Sequence, residues 1–152
     1  MTGPGRRYSV DGEQNIASPD DTCLGITTAT TVRPGIYFIM IGCSGTPADS
    51  AITHYAQRST AAGTATSVTP QPLDIDDPAA LASAGENHTG EPTYTSNAVL
   101  FRLALNQRAS HSWYADAFGA LCISDTSAAG IGFFPVHASS TVLIDMTVHY
   151  FE

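Results

Sequence analysis

Lysine is missing from this 152-residue chain, whose only cationic side chains besides histidine are Arg6, Arg7, Arg33, Arg58, Arg102 and Arg108. Fourteen acidic residues against those six leave a formal charge of -8. Neutralising phosphate takes a clustered basic surface, so this balance argues against broad nucleic-acid binding and against attachment to anionic membranes. Charged residues of both signs make up only 13% of the chain, about half the usual share of ~25%. Long apolar runs are also lacking. The longest, residues 36–41, has six residues, whereas a membrane-crossing helix needs about 20. No apolar run follows the first arginines, so the start of the chain reads without a secretory signal. Cysteine is sparse and odd in number (Cys23, Cys43, Cys122), with no C-x-x-C pair. That spacing points to three reduced, buried thiols in a cytosolic protein rather than a disulfide framework or zinc site. Nucleophile-elbow, P-loop and dinucleotide-binding glycine motifs are absent from the sequence.

What is present is 43% hydrophobic residues in 15.9 kDa, enough for one domain with a real core. Residues 1–21 are punctuated by Gly, Pro and Asp and read as an N-terminal arm that orders only against something else. From residue 22 onward the pattern is that of strands. Leu24, Ile26, Thr28, Thr30 and Val32 alternate, and 36–43 is a dense β-branched and aromatic run. Residues 51–59 and 64–69 read as a hairpin around the turn at 60–63. An Asp76 or Asp77 cap, Pro78 and the alanines to Ala84, closed by Gly85, read as one short helical turn. A polar loop over 86–92 follows. Period two returns with Val99, Phe101, Leu103 and Leu105, then in short strands at 110–115, 120–124 and 130–137. Pro135 marks an edge or bulge in the last of these. The clearest strand places Val142, Ile144, Met146, Val148 and Tyr150 on one face. Eight or nine short strands and one helical turn predict an all-β, antiparallel β-sandwich of jelly-roll type over 22–152, preceded by the arm.

Signals of chemistry are weak. Gly42-Cys43-Ser44-Gly45 is a poor match to a protease nucleophile turn, because no acidic residue precedes the serine. Asp74, Asp76 and Asp77 could offer oxygens to Ca²⁺, yet capping of the helical turn accounts for them better. His54, His88, His111, His137 and His149 show no ligand spacing, although His137 and His149 could approach each other across paired strands. Trp113, following Asn106-Gln107-Arg108, reads as a core or subunit-interface anchor before it reads as a stacking platform for sugar. Neither a cofactor nor enzymatic activity is expected.

Several stretches together carry a resemblance: QRSTAAGTAT at 57–66, LDIDDPAA at 73–80, NHTGEPTY at 87–94, LNQR at 105–108 with Trp113, AGIGF at 129–133 and TVHYFE at 147–152. Spread over about residues 47–152, they resemble the capsid decoration (cement) proteins of tailed bacteriophages. The resemblance implies a jelly-roll subunit that assembles as a homotrimer on the major capsid protein and stabilises the mature head. It places the protein on the virion exterior after synthesis in the host cytoplasm. Candidate contacts with the shell or between subunits are Arg6, Arg7, Arg58, Asn106, Arg108 and Trp113, with the arm as a strap whose deletion (1–15) leaves the sandwich folded. The alternative is a phage tail or fibre-tip domain that binds a host receptor or glycan through Trp113, Tyr114 and His111. A cupin-type metal enzyme is a third possibility, and it lacks a ligand motif.

Overall fold

A computed structural model describes residues 5–16, 21–115, 119–136 and 142–152. Alternation of apolar and polar residues generates twelve strands among them and no helix. They are β1 (Arg7–Asn15), β2 (Leu24–Thr27), β3 (Gly35–Ser44), β4 (Ala51–Ala61), β5 (Thr64–Val68) and β6 (Gln71–Pro72). The second half adds β7 (Ser83–Gly90), β8 (Thr93–Asn106), β9 (His111–Tyr114), β10 (Leu121–Cys122), β11 (Gly130–Val136) and β12 (Leu143–Phe151). One sheet runs β10-β3-β12-β1-β6, with β9 also on β3; the other runs β5-β7-β2-β11-β4-β8. All strand pairs are antiparallel. The chain is therefore an all-β antiparallel sandwich, as the alternation predicts.

Between the sheets lie Tyr8 and Val10 of β1, Leu24 and Ile26 of β2, Ile39 and Ile41 of β3, and Ile131 and Phe133 of β11. Ile144, Met146, Val148 and Tyr150 complete the core from β12, on the face the sequence assigns to them. Each such side chain, fully buried, contributes about 1.5–3 kcal/mol. Tyr8 and Tyr150 stack with ring centroids 5.5 Å apart.

Four expectations are corrected. The arm predicted for 1–21 is, over Arg7–Asn15, an inner strand paired with β12 along its full length and with β6 on its other side. Gly12 and Gln14 occupy inward positions there and dilute the apolar alternation that would have revealed the strand. The helical turn does not form. Residues 73–82 make turns, and Ser83, Ala84 and Gly85 pair with Thr27, Ile26 and Gly25 of β2. A helix of two turns is marginal alone, and the ladder offers the same backbone groups partners while also burying Ala84. For the same reason most of the expected polar loop 86–92 belongs to β7. Finally, β5 pairs with β7 instead of forming a hairpin with β4, whose two sides are taken by β11 and β8.

Pro135 lies inside an inner strand, at a point where pairing on one side has ended. Phe133 accepts a hydrogen bond from the Cys23 amide on the β2 side (2.8 Å). Two residues on, the position lacking an N–H faces that same side, beyond Leu24, the first residue of β2.

Candidate functional site

The six candidate contact residues do not converge on one surface. Arg6 is exposed, with Nε 4.0 Å from the Asp77 carboxylate in an ion pair. Arg7 starts β1 opposite Phe151 and is exposed. Arg58 is a strut between the sheets, since its Nη1 donates to the Cys122 carbonyl of β10 at 2.7 Å. At the other end of the sandwich, Asn106 donates to Asp49 (2.7 Å) and Arg108 Nε donates to the Pro47 carbonyl (3.3 Å). Gln107, buried beside them, donates to Ser50 Oγ and accepts from the Ala48 amide. This cluster pins the β8–β9 turn to the β3–β4 connection. Trp113 is half-buried against Phe101, with ring centroids 6.0 Å apart.

Trp113 and His111 pair with Ile39 and Ile41, both inward-facing, whereas Tyr114 pairs with Phe38 on the outer face and is 69% exposed. The period of two therefore splits the expected sugar platform between two faces of the sheet.

Trp113 instead belongs to a seam along one edge of the sandwich. Phe101, Leu103 and Leu105 of β8 lie opposite Ala56, His54 and Ile52 of β4. The β4 residues are fully buried, while their β8 neighbours are only half-buried. The cause is a mismatch of lengths. β8 has 14 residues, and the facing edge strands β9 and β10 have four and two. Among the described residues no strand pairs with the other side of β8, and such an edge is one that native proteins cover or blunt.

A second apolar surface, which the sequence reading missed, is the connection from β6 to β7. Leu73, Ile75 and Leu81 are 50%, 93% and 52% exposed there. Ile75 between Asp74 and Asp76, outside any periodic run, was the available signal, while Leu81 fell within the expected helical turn. The connection is firmly tied. The Leu73 amide donates to the Arg7 carbonyl (2.8 Å), and Tyr8 Oη donates to the Pro78 carbonyl (3.1 Å). The Glu152 carboxylate accepts from the amides of Leu81 (3.0 Å) and Ala82 (2.7 Å). Replacing Glu152 with alanine is expected to cost about 1–2 kcal/mol, since charge-assisted bonds are the stronger kind. Amide exchange at Leu81 and Ala82 should accelerate selectively; unchanged exchange there would refute the tie.

Three of the motif stretches meet on the outer face of the second sheet. The turn at 61–63 borders a half-open pocket of about 170 Å³ over β2 and β7, lined by small residues, among them Gly25, Ser59, Ala62, Ser67 and Gly85, and by His88. Gly63 is required at that turn. It has φ +76, and a Cβ there would lie 2.3 Å from the Gly90 carbonyl oxygen. Beside the pocket, His88 Nδ1 lies 3.1 Å from the Thr22 carbonyl, and Thr22 donates through its amide and hydroxyl to Glu91. Thr22 Oγ1 also hydrogen-bonds Tyr94 Oη at 2.6 Å. These polar groups satisfy one another and lock the 61–63 turn and β7 onto β2.

The remaining reactive groups are placed in structural roles or shielded to differing degrees. The Cys23 thiol is fully buried, and desolvation, reinforced by the nearby Asp145, raises its pKa. Cys43 and Cys122 are only half-buried, a departure from the expected buried trio. Desolvation, with a further contribution from Asp145, pushes the Cys43 thiol up to about 11, so it stays protonated at neutral pH. Ser44, at the end of β3, pairs with Leu143. Asp74 and Asp77 serve the turn: the Asp74 carboxylate accepts from the Asp76 amide and its carbonyl from the Asp77 amide. Among the described residues no cluster of three metal-ligating side chains forms. His137 lies outside them, so its approach to His149 belongs to the undescribed part of the chain.

No family model, no curated protein and no solved structure matches this chain.

Proposed function

We propose that this chain is a structural virion protein of a tailed bacteriophage, a capsid decoration protein that assembles as a homotrimer on the major capsid protein shell. The observation that carries this reading is the seam of β8, β9 and Trp113. Three inward-facing apolar side chains stay half-exposed there although their neighbours on β4 are fully buried. A neighbouring subunit that covers the seam buries them and pairs or shields the free edge of β8. We assign the seam to the shell.

Strand order supports a jelly-roll reading of the sandwich. Taking β9 and β10 as two halves of one edge strand and leaving aside β5 to β7, the principal strands number eight. The first, eighth, third and sixth then form one sheet, and the second, seventh, fourth and fifth form the other. The sequence resemblance over 47–152 supplies the phage assignment. Sparse charge and many small polar residues suit a surface that is mostly in contact with neighbours.

The mechanism is mechanical. A subunit that binds only the mature lattice stabilises that lattice by its differential affinity, and symmetry multiplies modest contacts into avidity. Purified protein added to capsids that lack it is expected to saturate at one trimer per three-fold position. The absence of saturable binding would favour a tail or fibre-tip role.

A further inference from the structure

The tied connection after β6 ends in an apolar knob. Ile75 is 93% exposed and sits between Asp74 and Asp76. Together with Leu73 and Leu81 of the same fastened connection, 50% and 52% exposed, it adds to an apolar surface of the kind that marks interaction sites. At the same end of the molecule, on the other side of β1, lies an open cleft of about 350 Å³ lined by Gly5, Arg7, Tyr37 and Phe151. The Tyr37 and Phe151 rings stack on each other, inclined by 16° with centroids 6.4 Å apart, and together form its aromatic side. Phe151 takes its place because residue 35 is glycine. A Cβ on Gly35 would meet the Phe151 ring at 2.3 Å.

Knob and cleft are complementary in shape and in charge. One is aliphatic and flanked by carboxylates; the other is aromatic and bordered by a guanidinium. Arg6 and Asp77 pair with each other, while Arg7, which borders a pocket with Asp74 and Asp77 of its own chain, and Asp76 take part in no ion pair among the described residues. Within one chain the knob follows β6 on one side of β1, while Phe151 of the cleft lies on β12 at the other side. Two strand spacings, about 10 Å, separate these positions.

We propose that the cleft of Arg7, Tyr37 and Phe151 receives Ile75 from a second copy of this chain, with Arg7 facing the Asp74 and Asp76 carboxylates of that copy. The contact joins two different surfaces, so it repeats head to tail and closes into a ring when the rotation between copies permits. The inference rests on the self-association part of the proposed function and names the residues that would carry it. It leaves the seam free for the shell.

Sedimentation velocity of the full chain tests the contact. Ile75→Asp and Arg7→Glu alter exposed side chains outside the core, so circular dichroism should stay that of the wild type. Each is expected to weaken association by about tenfold or more, the scale of a hot-spot contact. Combining Arg7→Glu with Asp76→Arg exchanges the charges and should restore much of the loss. If the wild type is a trimer and both single variants remain equally trimeric, the knob-and-cleft contact is wrong and the assembly reading stands. If the wild type is monomeric at every concentration, self-association and this contact fall together. Loss of association in both variants without rescue by the charge exchange would keep the apolar knob and overturn the pairing of Arg7 with Asp76.

Discussion

Deleting residues 1–15 is expected to abolish folding. β1 lies between β12 and β6, so its removal strips the full ladder Arg7↔Phe151 to Asn15↔Leu143 and exposes the inner edge of β12. Tyr8 and Val10 leave the core with it, and Tyr150 loses its stacking partner. Side-chain burial alone accounts for about 3–6 kcal/mol, and each ladder hydrogen bond adds about 0.5–1.5 kcal/mol. The sum matches or exceeds the 5–15 kcal/mol that usually separates folded from unfolded states. The deleted chain should therefore show no cooperative thermal transition. A normal transition in the deleted chain would restore the arm reading.

Acid is expected to destabilise the protein through His54. The side chain is 1% exposed, and neither ring nitrogen has a hydrogen-bond partner among the described residues. Burial lowers its pKa from 6.5 to about 4. Above pH 6.5 the ring is neutral in both states, and His54 adds no pH dependence. Between 6.5 and about 4 the unfolded chain takes up a proton that the folded chain refuses, so stability falls as pH falls. Below about 4 both states are protonated and the loss levels off at about 3 kcal/mol. His88 and His149, also lowered by burial, act with the same sign. His54→Leu should remove most of this slope, and at pH 7 it should stabilise the fold because two unpartnered nitrogens disappear. Denaturant unfolding at pH 7.5 and 4.5 measures both effects. A slope unchanged in the leucine variant would place the acid sensitivity elsewhere.

The fold was most legible where burial is one-sided. β12 and the second half of β8 announce themselves by strict alternation, because one face meets the core and the other does not. β1 was obscure for the opposite reason. Gly12 and Gln14 face inward, Gln14 satisfied by donating to the His88 carbonyl at 3.2 Å, so a buried strand carries a polar pattern. The Ala79–Ala84 stretch misled because its local preference is helical, whereas its partner, β2, lies some 56 residues away. A long-range ladder of that kind leaves no local mark. The candidate contacts fared unevenly for similar reasons. Trp113 packs half-buried against Phe101, as a large aromatic in a period-two run suggests. The exposure of Ile75 depends on how a turn is tied to Arg7, Tyr8 and Glu152, which no spacing rule encodes.

Hydrogen exchange along β8, with the protein free and then bound to capsids, tests the central claim most directly. In the free subunit the amides on the open side of β8 face solvent and should exchange rapidly. On the shell they should slow by about tenfold or more, together with those of β9 around Trp113, while the amides of the buried strand β12 change little. Unchanged exchange along β8 in the bound state would contradict the account, because the seam would then remain open in the assembled particle.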